Sequence, residues 1–119
     1  MKISVIIPTF NSEKTIKRAI ESILNQNGNH NLEILICDDC STDNTLESCR
    51  NYDVKIFVNS ENSGGANRGR NTGIKNATGD VIAFLDHDDE WMPDKLNIQI
   101  NEILKGYEFI YSPALKKLG

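Results

Sequence analysis

The chain has 119 residues, a formal net charge of −4, and 39% hydrophobic against 25% charged residues, a balance that suits one globular domain with a real core. No apolar run approaches the roughly 20 residues needed to cross a bilayer, and the acidic balance argues against a general nucleic-acid binder, which would show a basic face. The cysteines Cys37, Cys40 and Cys49 have no secretory context, so a disulfide framework is not expected.

Residues 3–7 read as a first strand rather than a signal peptide, because Pro8 and polar residues follow where an apolar leader would continue. A cytoplasmic location follows. The turn at 8–12 offers Asn11 or Ser12 as an N-cap, and Ile16, Ala19, Ile20, Ile23 and Leu24 mark one buried face of the helix beyond it. The Asn- and Gly-rich stretch 25–31 ends that helix. A second strand covers 32–37 and runs into Asp38 and Asp39. Ser41 or Thr42 then caps a short helix to about Arg50, with Leu46 and Cys49 inward. Residues 54–58 form a third strand, and 59–65 form a polar turn-rich loop.

A helix over 66–76 carries Gly69 and Gly73, which with Gly65 fall four apart and leave one face without side chains, free to approach the sheet or a ligand closely. The apolar run Val81-Ile82-Ala83-Phe84-Leu85 reads as a buried fourth strand. It stops at Asp86-His87-Asp88-Asp89, where crowded carboxylates suit a hard cation such as Mg²⁺ or Mn²⁺; the competing reading is a solvated acidic turn. Pro93 suits the first turn of a last helix with Leu96, Ile100, Ile103 and Leu104 inward. A fifth strand at 107–111 would leave an apolar edge uncovered, from which a homo-oligomer is expected.

This strand–helix alternation predicts an α/β fold, a Rossmann-like, mostly parallel sheet with helices on both faces. Strand ends then gather on one edge, bringing together 8–11, Asp38-Asp39 and 86–89 as a shared pocket. Cys37-Asp38-Asp39-Cys40 has redox spacing, but two anionic residues between the thiols disfavour thiolates, and a zinc site with His87 lacks a second close pair. Neither G-x-G-x-x-G nor G-x-x-x-x-G-K-[ST] is present, which weakens dinucleotide and P-loop readings. A nucleoside diphosphate held through a divalent metal, with Arg68 or Arg70 nearby, fits the pocket.

Four blocks, Ser4-Val5-Ile6-Ile7-Pro8-Thr9-Phe10-Asn11, Ile36-Cys37-Asp38-Asp39-Cys40-Ser41-Thr42-Asp43, Arg70-Asn71-Thr72-Gly73, and the segment from Gly79 to Asp89, resemble in order and spacing the family-2 glycosyltransferases of GT-A fold. The resemblance implies that residues 1–119 are the nucleotide-sugar-binding half of an inverting transferase, with Mn²⁺ or Mg²⁺ as cofactor. Pro8, Thr9, Phe10 and Glu13 would line the nucleoside pocket. Asp38 or Asp39, with Asp39 favoured, would read the base, uracil in the commonest members, and Arg70 would lie near the nucleotide. Asp86 and Asp88 match the D-x-D: Asp88 to the metal, Asp86 to the ribose or the metal's water shell. His87, between them, is expected to point away.

The general base and acceptor site are expected beyond residue 119, since Glu90, Asp94, Glu102 and Glu108 sit in no matching motif. The donor would be a nucleotide sugar and the acceptor is undefined. Family habit points to surface polysaccharide or glycolipid synthesis, with peripheral association at the inner face of the membrane. Two alternatives stand beside this reading: a sugar nucleotidyltransferase, which would normally carry a glycine- and basic-rich loop after the first strand, and a non-catalytic nucleotide-binding or assembly module.

Overall fold

A computed structural model describes residues 1–104 of the chain. The elements run β1 (Lys2–Thr9), α1 (Ile16–Leu24), β2 (Asn31–Asp38), α2 (Thr45–Cys49), β3 (Lys55–Val58), α3 (Asn67–Asn76), β4 (Val81–Phe84) and α4 (Lys95–Leu104). The strands lie in the order β3-β2-β1-β4 and every pairing is parallel, so the expected Rossmann-like α/β architecture is present. The order reverses at β1, which opens a crevice beyond the carboxyl ends of β1 and β4.

The period-two alternation of β1 splits the interior into two layers. Ile3, Val5 and Ile7 face one side with Ile34 and Ile36 of β2, and against them pack Ile16, Ala19, Ile20 and Ile23 of α1 together with Cys49, Leu85, Trp91 and Leu96. On the other side Ile6, Leu35 and Cys37 meet Phe57 and Phe84, and α3 lies directly over them. Here the glycine spacing finds its reason: a Cβ on Gly73 would sit 2.5 Å from Cγ2 of Ile6, and one on Gly69 would sit 3.1 Å from the carbonyl oxygen of Cys37. Gly65 takes no part in this face, for it precedes α3 and has nothing within 4 Å of where its Cβ would stand.

Several local expectations change. Helix α1 begins at Ile16 rather than just after Ser12, and neither Asn11 nor Ser12 caps it through a side chain. Asn11 instead takes a left-handed φ of 48°, and its amide oxygen accepts the N–H of Thr42 at 2.8 Å, tying two loops together. Nor do Ser41 or Thr42 cap α2; the Asp43 carboxylate accepts the Thr45 N–H at 2.9 Å. Thr45 rather than Leu46 shares the interior with Cys49. Strand β4 is not fully buried: Ile82 is 39% exposed, because among the described residues β4 lies at the sheet edge and pairs with β1 alone. Leu104, expected inward, is 74% exposed. The proposed strand at 107–111, the self-association built on it, and Glu108 lie outside the described residues. No helix among the described residues is long and apolar enough to cross a membrane.

Candidate nucleotide site

A cleft of about 290 Å³ opens at the carboxyl edge of the sheet, lined in part by Pro8, Thr9, Phe10, Asp39, Asn62 and His87. Strand ends deliver these residues from β1, β2, β3 and β4, as the parallel topology requires. Phe10 is an aromatic left 42% exposed at the rim. Asn11 and Cys40, the two non-glycine residues with positive φ among those described, at 48° and 64°, both stand in the loops that shape this edge, where backbone strain tends to collect.

The two acidic residues after β2 part ways. Asp38 is buried and its carboxylate is consumed internally, accepting from the Thr9 hydroxyl at 2.6 Å and from the Ser41 N–H and hydroxyl at 2.8 and 2.6 Å. It joins the β1 and β2 ends and does not line the cleft. Asp39 does. Its carboxylate accepts from Asn59 Nδ2 at 2.8 Å and from the Ser63 N–H and hydroxyl at 3.0 Å. Burial alone would raise the Asp39 carboxyl, but these donors and the nearby Arg68 charge outweigh it and hold it below the ordinary carboxylate range. It is therefore an anion of fixed orientation facing the cleft.

At the end of β4 the Asp89 N–H donates to the Asp86 carbonyl at 3.0 Å, closing a tight turn. Asp86 pairs with Nη2 of Arg70 on α3 at 3.2 Å, with both side chains partly exposed, so the expected arginine stands beside the D-x-D. The Asp88 side chain is exposed, and among the described residues its carboxylate has no partner. His87 corrects the sequence reading: it lines the cleft, with Nδ1 3.4 Å from the Thr15 hydroxyl. Side-chain alternation holds along an extended strand, and a turn breaks it. Glu13 is exposed and does not line the cleft; its backbone N–H donates to Asp43 at 3.2 Å.

Two exposed carboxylates do not make a finished metal site. Among the described residues no group of three or more His, Cys, Asp or Glu side chains is placed to hold an ion, which also leaves the zinc reading of Cys37, Cys40 and His87 without support. The pair nevertheless fits a magnesium-like ion, which takes one or two carboxylates, keeps waters and completes its shell with substrate phosphates. Burial pushes the Cys37 thiol up to about 11, away from the thiolate character that a redox pair needs.

The loop after β3 was missed as part of the site. Asn59 and Ser63 brace Asp39, and Asn62 donates to the Asp39 carbonyl at 3.2 Å. The signal was available: a loop directly after a strand of a parallel sheet must emerge at the same edge as the other three.

The glycosyl transferase family 2 profile matches residues 4–117. Among curated proteins, the chain is 42% identical over 113 residues to the Escherichia coli UDP-Glc:alpha-D-GlcNAc-diphosphoundecaprenol beta-1,3-glucosyltransferase WfgD, covering 92% of this chain and 44% of that protein. It is 35% identical to the Campylobacter jejuni GalNAc(5)-diNAcBac-PP-undecaprenol beta-1,3-glucosyltransferase, covering 96% of this chain and 38% of the relative. The chain thus spans less than half the length of these relatives. Among solved structures, Staphylococcus aureus TarS in complex with UDP-GlcNAc superposes with a TM-score of 0.83 at 36% identity, over 88% of this chain and 32% of that one. The Pyrobaculum calidifontis mannosyltransferase PcManGT, in complex with GDP-Man and Mn²⁺, gives 0.68 at 28% identity over 75% of this chain and 28% of the other.

Proposed function

This chain belongs to glycosyl transferase family 2, with the GT-A type of fold, and on that premise we propose that it forms the donor-binding half of a transferase that uses a UDP-linked sugar with Mn²⁺ or Mg²⁺. The observation that carries the reading is the cleft: a preset Asp39 carboxylate and the exposed ring of Phe10 line it together, and the D-x-D turn with Arg70 stands at the same sheet edge. A carboxylate accepting a ring N–H and an aromatic face for stacking suit a pyrimidine. Asp39, not the internally consumed Asp38, is the base reader. TarS structures with UDP and UDP-GlcNAc support the choice of nucleotide.

Asp88, whose carboxylate is exposed, would hold the ion, with Asp86 toward the ribose or the ion's water shell. A bound divalent cation would supply Lewis-acid stabilisation of the charge on a departing diphosphate. The chain's own part is orientation: Asp39 fixes the base, Phe10 and Pro8 wall the nucleoside, and Arg70 adds a cation beside the acidic turn. Transfer with inversion needs a general base to take the acceptor hydroxyl's proton, and we assign that role to none of the described residues. The named acceptors of the relatives, undecaprenol-linked sugars and poly(ribitol-phosphate), support a place in cell-surface polymer synthesis at the membrane face.

Calorimetric titration with UDP, with and without Mn²⁺ and with GDP as comparison, tests the proposal. Tighter UDP binding in the presence of Mn²⁺, weaker GDP binding, and loss of the metal effect in Asp88→Ala are expected. Equal UDP affinity with and without the metal would overturn it.

A further inference from the structure

One line of polar side chains on α1 and its flanks is unexplained by the packing of that helix. Thr15, Arg18, Ser22 and Gln26 recur at spacings of three, four and four, which sets them in a stripe beside the buried face. Each touches the segment that follows β4, and in the same order. The Thr15 hydroxyl meets His87 Nδ1 at 3.4 Å, and Arg18 Nη2 donates to the Asp88 carbonyl at 3.3 Å. Ser22 Oγ accepts the Trp91 N–H at 3.0 Å. Gln26 Nε2 donates to the Met92 carbonyl at 2.6 Å, while its Oε1 accepts the Leu96 N–H at 2.9 Å.

We propose that this stripe is a template that sets the position of the D-x-D turn, with Gln26 and Ser22 as its principal positioning residues; the inference rests on the donor-binding reading above. Gln26 is only 8% exposed, so its hydrogen bonds are costly to lose. It serves the Leu96 N–H, one of the donors that a helix start leaves unsatisfied, from just beyond the end of α1. Next to it the Asn27 N–H donates to the Pro93 carbonyl and Asn27 Nδ2 to Asp94 Oδ1, both at 2.8 Å. Apolar anchoring by Leu85, Trp91 and Leu96 resists removal of the segment but not its sliding. The stripe grips backbone groups one by one, so a shift of a single residue breaks the series. Asp88 is exposed and its carboxylate has no hydrogen-bond or ion-pair partner among the described residues, and this grip fixes where that carboxylate stands. Groups that hydrogen-bond a metal ligand directly are commonly worth about ten- to a hundredfold in metal affinity, and a displaced D-x-D turn is expected to register on the same scale.

The test uses the full chain, with amide hydrogen exchange and UDP titration with and without Mn²⁺ on the parent protein, Gln26→Met, Ser22→Ala and Ser22→Thr. Gln26→Met keeps side-chain length and removes the hydrogen bonds. Exchange at the Leu96 amide should quicken about tenfold, and the gain in UDP affinity conferred by Mn²⁺ should shrink about tenfold or more. Metal-free UDP affinity should hold within about twofold, a split that general loosening of the fold would not produce. Ser22→Ala should do the same at the Trp91 amide, with Ser22→Thr restoring the parent values, which keeps the test intact should Gln26→Met fail to fold. If the parent gains from Mn²⁺ and the variants gain equally, or if exchange is unchanged, the positioning role is overturned alone. If the parent itself gains nothing from Mn²⁺, the donor reading falls and takes the positioning role with it.

Discussion

Glu33, near the start of β2, accepts from the Ser4 hydroxyl, from Lys55 Nζ at 2.7 Å and from the Thr78 N–H and hydroxyl at 2.6 and 2.9 Å. Asp88, just past the end of β4, is exposed, and among the described residues its carboxylate has no partner at all. Both are single carboxylates on one small parallel sheet. At the amino end the acceptor capacity is used up within the molecule, stitching β1, β2, β3 and the loop before β4 together. At the carboxyl end a carboxylate is held in position by the backbone around it and left with unused lone pairs. The difference teaches where to look for chemistry: an acid whose neighbours already satisfy it is a fastener, and one that is held but unsatisfied awaits something from solution.

The contrast can be broken most directly at Glu33. Glu33→Ala should cost about 2 kcal/mol, because it leaves the Ser4 and Thr78 donors without their acceptor beside a buried carboxylate site, while metal-assisted UDP binding stays unchanged; Asp88→Ala should shift stability by no more than about 0.5 kcal/mol. Denaturant unfolding and calorimetry on the two variants check this reciprocity. The acid limb sharpens it. Burial alone would raise the Glu33 carboxyl, but Lys55, Ser4 and Thr78 together hold it well below the ordinary range. Its contribution is therefore complete above the unfolded value, about pH 4.3, and drains away as the pH falls further. Glu33→Gln should flatten that part of the stability profile.

Asp39 sits between the two extremes, braced like Glu33 yet placed, like Asp88, at the carboxyl edge of the sheet, where it lines the cleft. Asp39→Ala should weaken UDP about thirtyfold, roughly 2 kcal/mol for a hydrogen bond to a charged group, and equally with or without Mn²⁺. A loss confined to the metal-bound state would move Asp39 out of the base-reading role. Among the glycines, Gly73→Ala should cost about 2 kcal/mol through the clash with Ile6, whereas Gly65→Ala should stay within about 0.5 kcal/mol; thermal unfolding separates them. A smaller pH-dependent effect lies at Lys95. It is buried with Nζ 4.7 Å from the Trp91 ring centroid, and burial pushes it down to about 8. The unfolded chain then holds more protons than the folded one above that value, so stability should rise by about 1 kcal/mol between pH 8 and 9, and Lys95→Met should remove the rise.

The order of elements, the parallel sheet with helices on both faces, the need for glycine at 69 and 73, and the convergence of the turns after β1, β2 and β4 were all legible in the residues. They depend on local periodicity, on turn chemistry, and on the rule that parallel strands end on one edge. Helix starts were less legible, because Asn11, a cap expected for α1, bonds to Thr42 of another loop instead, and Asp43 rather than Ser41 or Thr42 serves the start of α2. Only the tertiary structure separated Asp38 from Asp39, turned His87 into the cleft, brought Asn59 and Ser63 to Asp39, and laid the α1 stripe along the D-x-D segment. The physical reason is common to these. A side chain's direction past a strand end, and which of its polar atoms remain unsatisfied, are fixed by partners tens of residues away, and the sequence records those partners without recording that they meet.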